Sequence, residues 1–189
     1  RWYIRTLGGT PILWGAQWGF PGGIVVVGDF DNDKVDDLVI YNPATHRWYA
    51  RSVAGTVLLW NANRGYYPDS IPMALNVDTN MPDRAVFYFP KERNFQYSST
   101  DLSGWPRRTV HPAPAGLNLK TIPVILDLDG NGIDEPAVFA TAPGYQAWLL
   151  QSSPGTVQWG FAGSTPLTGD YDGDRRSDFC VYHEGRWYI

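Results

Sequence analysis

Short apolar runs recur along the chain, and each is cut off by an acidic or glycine-bearing turn before a helical period can develop. Ile24-Val25-Val26-Val27 and Leu38-Val39-Ile40-Tyr41 flank one such turn, and Phe179-Cys180-Val181-Tyr182 follows another. Runs of this length, bounded by Gly, Asp and Asn, predict short strands, and no segment places apolar residues at helical spacing. The expected fold class is all-β. No apolar run approaches the roughly 18 residues of a membrane-spanning helix, so membrane insertion is not expected.

The pattern repeats four times. Acidic segments at residues 29–37, 76–84, 127–135 and 170–178 start 47, 51 and 43 residues apart, and the apolar strands 38–41, 85–88, 136–139 and 179–182 follow them at one offset. Between them, Trp2, Trp48 and Trp148 each stand seven residues before a Gly-Thr pair (residues 9–10, 55–56 and 155–156), and a further Trp follows at 14, 60 and 159. Gly-Thr between two aromatic-rich runs predicts a hairpin turn. Each period therefore reads as four strands, and four short strands per 40–50 residues is the signature of a β-propeller blade. The chain is expected to form a single domain, 1–189, of four blades of roughly 47 residues, with the N- and C-terminal strands sharing one blade. Because Arg-Trp-Tyr-Ile occurs at both 1–4 and 186–189, one copy of that strand is surplus. A frayed or added outer strand, a larger ring, or self-association through strand exchange with a neighbouring molecule would each absorb it.

The acidic turns carry the chemistry. Counting Asp29 as loop position 1, carboxylates fall at positions 1, 3, 5 and 9: Asp29, Asp31, Asp33 and Asp37. The last loop repeats this with Asp170, Asp172, Asp174 and Asp178, and the third offers Asp127, Asp129, Asn131 and Glu135. Alternate residues of a tight loop converge on one point, where the backbone carbonyl of position 7 (Val35, Ile133 or Arg176) can join them. That many hard oxygen donors suits Ca²⁺ better than Mg²⁺ or Zn²⁺. The second loop reads Asn76, Asp78, Asn80 and then Arg84, a guanidinium expected to repel a cation and to pair with Asp78. Three structural calcium sites are expected, and filling them would move the formal charge from −4 to +2.

The segments Gly28-Asp-Phe-Asp-Asn-Asp…Asp37-Leu38 and Gly169-Asp-Tyr-Asp-Gly-Asp…Asp178-Phe179 resemble FG-GAP/VCBS repeats, found in integrin α-subunit propellers and many secreted bacterial proteins. The resemblance spans essentially the whole chain. It implies a propeller fold and calcium in the loop joining the first two strands of each blade. For function it implies only a range of adhesion modules, lectin-like domains and accessory domains.

Composition narrows that range. Nine Trp within 15% aromatic residues supply the large side chains that thin β-layers need, and 20 Gly with 15 Pro fit a turn-rich chain. A single cysteine excludes an intrachain disulfide framework, and Cys180 reads as a small buried hydrophobe. His46 and His183 fall in matching turns before Trp-Tyr strands, His111 lies in a Pro-rich stretch, and no nucleophile elbow or phosphate loop is present. No enzyme is expected, and an acidic balance, with Arg107-Arg108 the one basic pair outside the acidic loops, argues against nucleic acid. Trp18, Tyr66, Tyr67 and Trp105 fall outside the repeat and are the candidate ligand-binding residues. The expectation is an extracellular or cell-surface calcium-binding module for a glycan or protein ligand; the alternative is a structural subunit that polymerises through its terminal strands.

Overall fold

The structure, a computed structural model, describes residues 1–6, 8–64, 67–97, 108–109, 119–150 and 155–189. Those residues form no helix, only strands and turns. Sheet I pairs β1 (Trp2–Arg5) with β2 (Pro11–Ala16). Sheet II orders β3 (Ile24–Gly28), β4 (Asp37–Asn42), β5 (Arg47–Arg51) and β6 (Val57–Asn63) side by side. Sheet III does the same with β7 (Ile71–Leu75), β8 (Arg84–Phe89), β9 (Asn94–Tyr97) and β10 (Arg108–Thr109). Sheet IV comprises β11 (Lys120–Leu126), β12 (Glu135–Ala142), β13 (Tyr145–Leu150) and β14 (Thr156–Val157). Sheet V holds β15 (Thr165–Gly169), β16 (Asp178–His183) and β17 (Arg186–Tyr188). Every pairing is antiparallel between consecutive strands.

Each acidic loop sits between the first and second strands of a sheet, so position 9 opens the second strand: Gly28 pairs with Asp37 and Gly169 with Asp178. The Gly-Thr pairs do close hairpins. Gly9 and Gly55 take φ of 88° and 108°, and their N–H groups donate to the carbonyls of Thr6 and Ser52 at 2.9 Å in both turns. Between sheets II and III, III and IV, and IV and V, side chains on the facing surfaces meet the next sheet rather than solvent. Three apolar clusters result. One holds Val39, Tyr41 and Trp48 of sheet II against Ala74, Ala85 and Phe87 of sheet III. A second joins Val86, Tyr88 and Phe95 of sheet III to Val138, Ala140 and Leu149 of sheet IV. The third joins Phe139, Trp148 and Leu150 of sheet IV to Val181 of sheet V. Trp48 and Trp148 are fully buried at matching places, and removing either indole would cost about 3–5 kcal/mol.

Two details depart from the sequence reading. Trp14 and Trp60 lie on the last strands of sheets I and II, but Trp159 follows β14 in the connection to sheet V. Its counterpart is Trp18, since Gln-Trp-Gly-Phe occurs at both 17–20 and 158–161. His46 occupies a turn at φ 58°, with Nδ1 3.1 Å from the Tyr41 hydroxyl, whereas His183 ends β16 and stacks on Phe161. Cys180 is buried on β16, as expected of a small apolar residue.

Candidate metal centre

Loops 1, 3 and 4 fold through one hydrogen-bond lattice. The carboxylate at position 1 collects backbone N–H groups across the turn: Asp29 accepts from Asp33 and Lys34 (3.1 and 2.9 Å), and Asp127 accepts from Gly130, Asn131 and Gly132. Asp170 accepts from Gly173 and Arg175 at 2.6 and 2.9 Å. Position 3 accepts the N–H of position 5, through Asp31, Asp129 and Asp172, and position 5 accepts the N–H of position 7. Val35, Ile133 and Arg176 thus enter the lattice through their N–H groups. Position 9 turns one oxygen back to the N–H of position 2, at 2.8 Å in all three loops: Asp37 to Phe30, Glu135 to Leu128 and Asp178 to Tyr171.

The backbone explains why alternate side chains converge. Positions 4 and 6 are left-handed in each of these loops: Asn32 and Lys34, Gly130 and Gly132, Gly173 and Arg175. Two such residues, each costing about 1–2 kcal/mol unless Gly or Asn, roll the intervening peptides so that positions 1 and 3 face one centre with position 5 or 9. One oxygen from each of Asp29, Asp31 and Asp33 lies within 4.8 Å of the others. Asp127, Asp129 and Glu135 form a second such group, and Asp170, Asp172 and Asp178 a third. Asp37 and Asp174 stand beside these groups rather than within them. Oxygens bound at 2.3–2.6 Å to a common ion are at most about 5 Å apart, so each of the three clusters could hold a metal ion.

Loop 2 is built differently. Asp78 keeps the lattice bond from the N–H of Asn80, but Asn76 accepts from the nearby Asp78 N–H rather than from across the turn, and positions 4 and 6 (Thr79 and Met81) are not left-handed. Arg84 does not pair with Asp78. Its Nη2 lies 3.2 Å from Met81 Sδ, and its buried Nε has no hydrogen-bond partner among the described residues.

The sequence reading missed position 8. Asp83 of loop 2 accepts the N–H of Asp29 at 2.9 Å while its own N–H donates to the Asp29 carbonyl at 2.7 Å. Asp134 of loop 3 does the same with Asn76 (2.6 and 2.9 Å), and Ser177 of loop 4 does the same with Asp127 (2.9 and 2.7 Å). This clasp ties each loop to the preceding one. Burial raises the carboxyl of Asp83 to about 6 and that of Asp134 to about 7, against the pull of their backbone hydrogen bonds and with help from neighbouring carboxylates. Asp37 is raised to about 6 by burial, offset by its bond from Phe30, and pushed further by Asp31, Asp29 and Asp33.

The sign of the linkage follows. A carboxyl whose pKa is higher in the folded chain holds its proton more tightly there, so stability is fullest below the ordinary value near 4 and falls as pH rises toward 7. In chelator, the denaturation midpoint is expected to be higher at pH 5.5 than at pH 7.5. Asp134→Asn keeps an acceptor for Asn76 and drops the charge, so it should raise stability at pH 7.5 and flatten the profile; a destabilised variant with an unchanged profile contradicts this.

Of the candidate ligand residues, Trp18 lines a cleft of about 390 Å³ with Gln17, Phe20, Asn42, Tyr49 and Trp60. Trp60 is 70% exposed there, and its ring meets Tyr49 edge-on at 5.4 Å. Tyr67 is elsewhere: it packs on Phe87 and Phe89 at the edge of the core between sheets II and III. Tyr66 and Trp105 lie outside the described residues. Compared with protein-family models, curated proteins and solved structures, the chain matches none.

Proposed function

We propose that the chain is a calcium-stabilised, non-enzymatic binding module of the extracellular space, its sheets acting as propeller-type blades of the FG-GAP/VCBS kind. The observation that carries this reading is the lattice common to loops 1, 3 and 4, in which three carboxylates converge within 4.8 Å in the loop between the first two strands of three of the four sheets that have such a loop. Repetition at the period of the sheets is what an architectural metal requires and what a catalytic site does not. Oxygen-only donors select Ca²⁺, and extracellular modules bind it with Kd of about 10⁻⁴–10⁻³ M, matched to calcium outside cells.

The ligand reading rests on the cleft at Trp18. Phe20, Tyr49 and Trp60 give it apolar faces, and Gln17 and Asn42 add amides. The Asn42 Oδ1 is held by the N–H groups of Ala44 and Thr45, which leaves its Nδ2 as a donor. An exposed indole beside amide donors is the chemistry that stacks on a sugar face and bonds its hydroxyls. On a glycan panel in calcium, binding is expected, and Trp18→Ala and Trp60→Ala should each weaken it at least tenfold, about 1.4 kcal/mol. Glycan affinities unchanged in both variants, or a panel that the intact chain does not bind, would sink the ligand reading.

A further inference from the structure

We propose that copies of this chain join head to tail through the two end faces of the sheet stack, remaking between molecules the interface the chain makes three times within itself. This goes beyond the binding role and does not depend on it.

The position 8 clasp links loop 1 to loop 2, loop 2 to loop 3, and loop 3 to loop 4. A fourth clasp would join Asp36 of loop 1 to the backbone of Asp170 in loop 4, and that pair is not made within the chain. The apolar contacts show the same gap. Four residues after position 9, Tyr41, Tyr88 and Phe139 are buried against Phe87, Val138 and Val181 of the following sheet. Their counterpart on sheet V, Tyr182, is 40% exposed, and so is Tyr171 at 44%, although Phe30, Val77 and Leu128 at the same loop position pack into the three cores.

Sheet II carries the complementary half. Ile40, the counterpart of Phe87, Val138 and Val181, lines a cleft of about 480 Å³ together with Gly19, Gly23 and Val25. In the completed interface between sheets IV and V, the place beside Gly19's counterpart is taken: a Cβ on Gly160 would lie 3.0 Å from the ring of Phe139. Tyr182 of a second copy supplies the ring that the cleft beside Gly19 lacks. Val25 is 57% exposed on this face, whereas its counterpart Pro72 is buried.

The terminal strands fit the same docking. Sheet I supplies the third and fourth strands of a blade, and sheet V supplies the first three. Sheets I and V are separate within the chain. The strand β17 has three residues, and its Trp187 is 57% exposed, while Trp2 of β1 is half-buried and donates its Nε1–H to the Trp18 carbonyl at 2.9 Å. Because Arg-Trp-Tyr-Ile is present in both, β1 of one copy takes the place of β17 beside β16 of the other with the same side chains in the same register. Every molecule carries one of each half, so the contact is heterologous and continues into a ring or a filament.

Sedimentation velocity of the 189-residue chain in calcium tests this. The mean mass is expected to rise with protein concentration over roughly 1–100 µM, the range of weak but specific contacts. Asp36→Ala, at an exposed clasp residue, and Tyr182→Ala should each remain monomeric at concentrations at least tenfold higher. An equimolar mixture of the two should form one-to-one dimers and nothing longer, because one variant keeps the sheet V face and the other the sheet II face. A chain monomeric throughout the range, or a mixture that behaves like its separate components, overturns the proposal.

Discussion

Transfer of the chain from about 1 mM Ca²⁺ into chelator is expected to lower its unfolding free energy by about 4 kcal/mol at neutral pH. A site with Kd near 10⁻⁴ M contributes RT ln(1 + 10), about 1.4 kcal/mol, and three clusters are placed to contribute. For a chain of this size, each kcal/mol moves the melting temperature by about 2–4 °C, so a fall of roughly 8–16 °C should be seen by calorimetry. The carboxylates left behind add to the effect, since like charges brought within 4.8 Å without a cation disfavour the fold. Equilibrium dialysis should count three ions per chain. Asp127→Asn and Asp170→Asn should each remove one while the others bind as before. Arg84→Ala should not add a fourth, because loop 2 lacks the left-handed residues at positions 4 and 6 as well as the carboxylate. Melting that is indifferent to chelator, within about 2 °C, would sink the calcium reading and with it the structural role of the loops.

Much of this was legible in the residues, because strand and loop signals are local. Apolar runs of four, Asp at alternate positions and Gly-Thr turns each depend on a few neighbours, and the structure returns them as strand pairs, convergent carboxylates and hairpins. What depended on a neighbouring sheet was not legible. The acid at position 8 in Asp36, Asp83 and Asp134 has no partner within its own segment, and only the backbone of the previous loop shows what Asp83 and Asp134 hold. Arg84 was expected beside Asp78 on charge alone; Met81, three residues back, sits closer to its path. Tyr67 was counted as a free aromatic because nothing in its own segment reveals that Phe87 and Phe89 are beneath it. Glycine or asparagine at positions 4 and 6 was the signal that separates loops 1, 3 and 4 from loop 2. It is visible in Asn32, Gly130, Gly132 and Gly173 and concealed by Lys34 and Arg175.

Replacing Gly28 by alanine is expected to destabilise the chain by about 2–3 kcal/mol, although the backbone there suits any residue. Its φ lies outside the left-handed region, so space rather than conformation sets the cost. A Cβ at this position would stand 2.6 Å from the Cβ of Ala74 and 2.7 Å from Oδ2 of Asp83, on two different parts of sheet III and its loop. The first contact is between strand backbones that cannot separate without opening the core around Trp48 and Phe87. The second displaces the carboxylate that accepts the Asp29 N–H, leaving that donor without its partner at the entrance to loop 1. The cost should therefore appear twice, as a melting temperature lowered by roughly 4–12 °C and as weaker calcium binding at loop 1 alone. Ala74→Gly separates these effects. By itself it loses a buried methyl and gains backbone freedom, a cost of about 1–2 kcal/mol. In the Gly28→Ala background it removes the closer of the two clashes, so the double variant should be at least 1 kcal/mol more stable than the sum of the single changes. Strict additivity, or a Gly28→Ala chain that melts with the parent, would show that the two sheets approach less closely at Gly28 than the clasp requires.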